Sequence, residues 1–401
     1  MAEVTTSRGW IVPVMGLFVA TFAVCTAELI VTGLLPNIAS DLKVDIPTAG
    51  LLISGYALGV AIAGPLLALL TARLERRTVM LAVIGFFILG NVICGVSGSY
   101  GMLLAGRLLV AACHGLFFGV AMVIAARLAP EGRQASAISM VVAGVTLANI
   151  LGVPIGTAIG AAYGWRSSFW VIAAAGALAG VVLFLVIPRT PDPARGKDDF
   201  RAELAAARRP AVLICYSFIA IVMVGVIALQ GYIVPLLTER SGVPAAYVPW
   251  VLLGMGATGF VGNLVGGRLG DWKPNATMSG ILAIFFVLLL VMWQVTGSTW
   301  GMVIVLWATW GVGFGFPAPV QSRILHEARD APNLASTLIS TAFNVGIAAG
   351  AAVGGAAISA GWGYGALPLI TAAFTALAFL GTLLLTAYDR RRRPAPVASP
   401  A

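Results

Sequence analysis

The chain has 401 residues, of which 60% are hydrophobic and 10% charged, with a mean hydropathy of +0.98. That composition excludes an ordinary soluble domain. A net charge of +9 would point to nucleic acid in a soluble protein, but here the bases fall between apolar runs, so no nucleic-acid partner is expected.

At roughly 20 residues per crossing, the length allows about a dozen bilayer spans. Apolar runs predict twelve helices, at about 10–35, 48–70, 78–97, 100–126, 135–162, 165–187, 211–234, 247–267, 276–297, 300–322, 333–360 and 362–388. The first run is too long for a cleavable signal peptide, and no small-residue cleavage site follows it, so it is expected to stay in the protein. It carries Glu28. An acid near the membrane centre costs roughly 2.5–3.5 kcal/mol on insertion scales, which makes it a functional residue by default. Thr21, Cys25, Glu28 and Thr32 step by four, three and four, placing a polar stripe on one helix face. Glu28 is either a tolerated carboxyl bonded to a neighbouring helix or a protonatable group. No other Asp or Glu lies deep in a predicted span, so any proton coupling falls to Glu28.

The fourth span holds the one deep base, Arg107, and His114 follows it by seven residues on the same face. The pair reads as structural support or as part of a polar path, and an unperturbed imidazole changes charge near neutral pH. Small residues form ladders in span five (Gly144, Ala148, Gly152, Gly156, Gly160, broken by Pro154), span eight (Gly254, Gly262, Gly266, Gly270) and span eleven (Ala342, Gly346, Gly350, Gly354). Such ladders allow close helix contacts, static or sliding. Their recurrence in both halves favours moving gates. Asn149, Gln230 and Asn344 are further deep polar groups, and Tyr216, Trp307, Trp310 and Phe314 are candidate aromatic walls of a cavity. The four cysteines, Cys25, Cys94, Cys113 and Cys215, lie in apolar spans, so neither a disulfide framework nor a metal site is expected.

Charge sets the orientation. Of 24 Lys and Arg residues, twenty fall on segments of one side and three (Lys43, Arg166, Arg240) on the other. The positive-inside rule therefore places both termini in the cytoplasm of a cell-membrane protein. Trp10, Trp165, Trp250, Trp272, Trp300 and Trp362 sit near predicted span ends, as an aromatic belt requires. The hydrophilic stretch 189–210, with acids before bases, reads as a short helix ended by Pro210. It divides the chain into bundles at 1–188 and 211–389, with a basic tail at 390–401. The halves echo each other. Ala72-Arg73-Leu74 recurs as Gly267-Arg268-Leu269, Asn149 as Asn344, and Gly164-Trp165 as Gly361-Trp362, at offsets of 195 to 197. A near-constant offset argues for a duplicated six-helix unit, a transporter signature. There is no phosphate loop and no cluster of acids with histidines, so an enzyme is not expected.

Several motifs carry a family resemblance. Thr26-Ala27-Glu28-Leu29 followed by Gly33-Leu34-Leu35-Pro36-Asn37, Arg107 with Ala112-Cys113-His114-Gly115, Gly144 through Gly152-Val153-Pro154-Ile155-Gly156, and Gly164-Trp165-Arg166 resemble the twelve-span drug:proton antiporters of the major facilitator superfamily. The nearest resemblance is to the branch of sugar, nucleoside and chloramphenicol efflux permeases. It implies an all-α fold of two pseudo-symmetric six-helix bundles working as a monomer among membrane lipids. It also implies proton-coupled export of a small-molecule solute, with no cofactor besides the proton, and drug resistance or sugar efflux as the outcome. Glu28 and Arg107 would handle the proton, His114, Asn149, Gln230, Asn344, Tyr216 and Trp310 would line the cavity, and Gly152, Pro154 and Gly156 would gate. Arg73, Arg76 and Arg77 match the basic positions of the gating loop after span two. Its acid and glycine positions are Ala72 and Glu75, so the interlock would be differently wired, with Asp271 supplying an acid in the other half. An importer of the same fold and a non-transporting membrane receptor are the alternatives.

Overall fold

The computed structural model describes residues 10–71, 74–130, 133–187, 205–328 and 332–392. Among them are twelve helices long and apolar enough to cross a bilayer, and no strand. They are α1 (Ile11–Leu42), α2 (Ile46–Leu70), α3 (Arg76–Val96), α4 (Tyr100–Leu128), α5, α6 (Trp165–Val186), α7 (Pro210–Gln230), α8 (Val248–Trp272), α9 (Pro274–Gln294), α10, α11 (Pro332–Ser359) and α12 (Leu367–Arg392). Helix α5 runs as Gln134–Leu147, a π turn at Ala148–Gly152, and Val153–Tyr163. Helix α10 is broken into Thr299–Gly313 and Pro317–Glu327. Twelve crossings return the chain to its starting side. The start of α1 and the end of α12 thus share one face, the terminal face, while loops such as 43–45 and 360–363 form the distal face.

Packing partners repeat between the halves. In the first, α1 packs on α5 and α6, α2 on α4, and α3 on α4 and α6. In the second, α7 packs on α11 and α12, α8 on α10, and α9 on α10 and α12. Adding six to each label of the first set gives the second. The halves meet in the same symmetric way, α2 against α11 and α5 against α8. Two glycines of the sequence repeat have a backbone reason for matching: Gly164 (φ 86°) and Gly361 (φ 81°) each turn the chain between the last two helices of their half in a left-handed conformation.

Local chemistry adjusts several boundaries. The first span does not end at Pro36 but runs through it to Leu42. A proline is tolerated in a membrane helix where neighbouring helices hold the chain, and α1 is packed by four of them. Asp45 caps α2, accepting the Thr48 backbone N–H at 2.8 Å, and Thr48 holds its carboxyl below the usual carboxylate range. In α5 the Val153 N–H reaches back five residues to the Ala148 carbonyl, widening the turn just before Pro154. The described end of the linker is helical at 205–207 and stops before Pro210, which itself begins α7, an allowed first-turn position for a residue without an N–H. Most of the predicted linker, 188–204, lies outside the described residues. So do Ala72, Arg73 and residues 393–401, as does the side chain of Asp271.

The aromatic belt is partly corrected. Trp250, Trp272, Trp300 and Trp362 are exposed at helix ends, but Trp10 and Trp165 are buried. Trp165 turns inward because its indole N–H donates to Asp41 at 3.2 Å.

The glycine ladders receive a larger correction. They pack helices inside a half, not across the halves. A Cβ on Gly144, Gly152 or Gly156 of α5 would meet Phe18, Thr26 or Ile30 of α1. The α11 ladder faces α7 in the same manner, and the α8 ladder faces Trp307, Gly311, Gly315 and Pro319 of α10. In lipid such close backbone approach is what small residues provide, so the ladders set the shape of each bundle. Among the glycine contacts across the halves is Gly256 of α8, placed against the backbone of Asn149 and Ile150.

Candidate functional site

Glu28 occupies the middle of α1 and lines a narrow cleft between the halves. Leu29, Thr32, Ile53, Tyr56 and Arg107 supply the first-half wall, and Ile227, Gln230, Gly231 and Ile347 the second. A second narrow lobe lies beside it, lined by Asn149, Val153, Leu252, Met255, Gly256, Trp310 and Phe314. Gln230 lines both lobes.

Behind Glu28, α2 and α4 bring three polar side chains together. Arg107 is 1% exposed and donates to the main-chain carbonyls of Ala27 and Glu28, the latter at 3.1 Å. Its guanidinium also lies over the Tyr56 ring, 4.0 Å from the centroid, a stacking geometry that suits a planar cation. The Tyr56 hydroxyl is 3.0 Å from His114 Nδ1, and that nitrogen is 3.9 Å from a Glu28 carboxylate oxygen. His114 also rests against the Phe118 ring, with 5.2 Å between centroids. The chain of contacts is therefore Arg107, Tyr56, His114, Glu28, and every member except His114 also lines the cleft.

Cys25 Sγ, a Glu28 carboxylate oxygen and a His114 ring nitrogen lie within 4.8 Å of one another, a donor set of mixed type. The 3.9 Å between His114 and Glu28 exceeds the ~3.5 Å edge of a tetrahedral zinc set built from ordinary bond lengths, and Tyr56 already occupies His114 Nδ1. The four cysteines are free and buried, as the sequence implies.

The other sequence candidates divide. Asn149, Gln230 and Trp310 line the cleft, but His114, Asn344 and Tyr216 fall outside the lining of both lobes. Asn344 is buried in α11, donating to the Ser340 carbonyl at 3.0 Å, as its repeat mate Asn149 donates to Val145. Arg77 binds the Phe184 carbonyl of α6 at 2.6 Å, inside its own half. Arg76 begins α3 beside it, Gly152 and Gly156 belong to the α1–α5 contact, and Pro154 is buried on α5. Of the α1 stripe, Thr32 joins Glu28 in the lining, while Thr21 turns to the Leu17 carbonyl.

Tyr56 and Tyr232 were not legible as site residues. Tyr56 is the lone tyrosine of the second apolar run, a signal that a scan for charged groups passes over. Tyr232, fully buried after α7, donates to the Ala351 carbonyl at 2.8 Å and presses its hydroxyl against Gly50 of α2.

A family model described as the Major Facilitator Superfamily matches residues 17–331. The chain belongs to the Major Facilitator Superfamily. Among its relatives in that superfamily, the inner membrane transport protein YdhP of Escherichia coli (strain K12) is 37% identical over 386 residues, covering 96% of this chain and 97% of the relative. The MFS-type transporter YtbD of Bacillus subtilis (strain 168) is 34% identical, with 94% of each chain covered. A chloramphenicol resistance protein of Streptomyces lividans is 33% identical over 344 residues, or 84% of this chain and 87% of that one. Among solved structures, a bacterial homolog of the human lysosomal transporter Spinster, in an inward-facing and unoccupied conformation, superposes with a TM-score of 0.75 at 17% identity, covering 98% of this chain and 100% of that chain. That likeness is one of fold. As a superfamily member with twelve spans, the protein is a multi-pass membrane transporter, and its relatives and fold are those of transporters rather than enzymes.

Proposed function

We propose that the protein is a proton-coupled exporter of small, uncharged-to-amphiphilic solutes, residing in the inner (plasma) membrane with both termini in the cytoplasm. The observation that carries this reading is the position of Glu28, a carboxylate in the wall of a cleft between two halves that meet along symmetric helix pairs. An ionisable group at membrane depth facing a cavity is the expected site of proton exchange. The Glu28 carboxylate takes a proton from one side of the membrane and gives it up to the other as the halves rock around the cleft. Arg107 holds the Glu28 backbone in place, and His114 with Tyr56 backs the carboxylate. The proton is the coupling ion and no organic cofactor is required. One chain encloses the cleft, so a monomer suffices. Solute export is supported by the relative named a chloramphenicol resistance protein, and orientation by the distribution of Lys and Arg.

The test is reconstitution into liposomes holding a pH-sensitive dye, with chloramphenicol as the driving solute. Wild-type protein moves protons when the solute gradient is imposed. Glu28→Gln retains the fold and loses that movement; equal movement by the two proteins overturns the coupling.

A further inference from the structure

The outer surface of α8 changes character at its terminal end. Val261, Leu264, Val265, Arg268 and Trp272 are exposed and fall at helical spacing on one face, turned away from the glycine ladder that packs on α10. In a spanning helix that face meets lipid. The stripe is apolar until Arg268, which comes one turn before Trp272 and so lies about 6 Å deeper at 1.5 Å per residue. Trp272 is 73% exposed, and the exposed Lys273 places its ammonium nitrogen 4.2 Å from the Trp272 ring centroid. Among the described residues, neither Arg268 nor Lys273 has an acidic partner. Across the same corner, Arg323 of α10 reaches Asn275 at 3.3 Å and holds Glu327 for itself at 2.8 Å.

The corresponding corner of the first half is built otherwise. Arg77 of α3 turns inward, donating to the Phe184 carbonyl at 2.6 Å and lying over the Phe184 ring. The residue 195 positions later is Trp272, on the outer surface. The first half gives this corner base to protein, whereas the second leaves two bases and a tryptophan facing lipid.

A guanidinium on a lipid-facing stripe is costly until its charge is met. An arginine one turn inside a helix end extends toward the headgroup layer, whose anion is the phospholipid phosphate. The exposed indole marks the same level. On α9, Ala276 and Gly280 are exposed, and a Cβ on Gly280 would meet nothing within 4 Å. These small residues leave a shallow notch that leads to exposed Ile284 and Val287.

We infer that the corner formed by the end of α8 and the start of α9 is a binding site for an anionic phospholipid. Arg268 and Lys273 take the phosphate charge, and the planar guanidinium offers paired donors to its oxygens. Trp272 packs on the glycerol region, and the notch at Ala276 and Gly280 accepts an acyl chain. A zwitterionic lipid carries its own cation beside the phosphate, so the two bases select a net negative headgroup. The site is on the outer surface and does not depend on how the cleft is used.

The experiment is native mass spectrometry of purified full-length protein, titrated in detergent with palmitoyl-oleoyl phosphatidylglycerol or phosphatidylcholine at low ionic strength. Wild-type protein is expected to bind the first phosphatidylglycerol about tenfold more tightly than phosphatidylcholine. A base beside anionic lipid is worth about fivefold in affinity, so Arg268→Gln with Lys273→Gln should raise the phosphatidylglycerol Kd at least about tenfold. Phosphatidylcholine binding should not change. Exchanging the bases, Arg268→Lys with Lys273→Arg, keeps both charges and should stay within about threefold of wild type. Arg240→Gln, which removes an exposed base from the distal face, should have no effect. Excess inorganic phosphate should not displace the lipid, since it has no chain for the notch. Equal affinity of wild type for the two lipids, or wild-type affinity in the double glutamine variant, overturns the site. So does an equal loss in Arg240→Gln or in the exchanged pair, or displacement by inorganic phosphate.

Discussion

Arg107 directs its hydrogen bonds to the backbone at Glu28 rather than to the Glu28 carboxylate. The guanidinium donates to the carbonyls of Ala27 and Glu28 and covers the Tyr56 ring, while the carboxylate reaches the cleft with His114 behind it. Two charged residues from different helices thus avoid forming a locked ion pair. The acid is held at a fixed place and stays available to the cleft.

The first prediction follows from that division. Arg107→Lys keeps a positive charge but loses the fork that spans two carbonyls and the planar stack on Tyr56. Hydrogen bonds to charged groups are worth about 1.5–3 kcal/mol each, so the variant should lose roughly 2 kcal/mol of stability. It should melt several degrees lower in detergent and transport slowly. A melting temperature equal to wild type would show that the guanidinium does not organise α1.

Sequence reading reached the architecture because bilayer length and a near-constant repeat offset are strong one-dimensional signals. It reached Glu28 and Arg107 because deep charges are rare. It missed Tyr56 and Tyr232, whose roles come from which helix lies opposite, and that is set by packing. The same limit misread the ladders. Spacing shows that Gly144, Gly152 and Gly156 share a face of α5, but not that α1 of the same half covers it. His114 shared a face with Arg107, as expected, yet it ended behind Glu28 because Tyr56 claims its ring nitrogen.

The second prediction separates bundle glycines from interface glycines. A Cβ at Gly144 would lie 2.7 Å from the Phe18 carbonyl oxygen, a backbone atom that cannot move aside. Gly144→Ala should therefore destabilise the first half by about 1–3 kcal/mol, as overpacking does. At Gly156 the obstacle is Ile30 Cδ1, the movable end of a side chain, so Gly156→Ala should cost less, while Gly156→Leu should unfold the α1–α5 contact. At Gly256 the Cβ would meet the Asn149 carbonyl at 2.7 Å across the halves. Gly256→Ala should slow transport with a smaller change in melting temperature. If Gly256→Ala and Gly144→Ala proved equal in both measurements, the distinction would fail.

The third prediction concerns the distal face of the first half. Arg166 makes a 2.7 Å ion pair with Asp41, donates to the Ser97 carbonyl at 2.8 Å, and lies over the Trp165 ring. Both charged side chains are partly exposed, 35% and 47%, so water screens the pair. A double-mutant cycle with Asp41→Ala and Arg166→Ala should give a coupling of no more than about 1 kcal/mol, and it should shrink in high salt. Each single variant should cost more than the coupling, because Arg166→Ala strands the Ser97 carbonyl and Asp41→Ala strands the buried Trp165 indole N–H. Thermal unfolding of the three variants checks this, and single-variant costs no larger than the coupling would contradict it.

The last prediction uses Tyr232 as a wedge between the halves. Its hydroxyl is fixed by the Ala351 carbonyl within the second half, and it abuts Gly50 at the distal end of α2 in the first. A Cβ on Gly50 would lie 2.0 Å from that oxygen and 2.7 Å from the ring carbon bearing it. Tyr232 is fully buried and its ring is rigid, so it cannot yield cheaply. Gly50→Ala should therefore push α2 away from α11 and populate a state with the distal face more open. Spin labels at exposed Asp45 and Trp362, one on each half, should then show a longer distance component. Adding Tyr232→Phe removes the nearest clashing atom but leaves the ring carbons, so the double variant should recover part of the closed population. Tyr232→Phe alone, with Gly50 intact, should keep the short distance while losing about 1 kcal/mol for the lost hydrogen bond to the Ala351 carbonyl. Unchanged distances in Gly50→Ala would show that the distal contact has slack and that Tyr232 does not set how closely the halves approach.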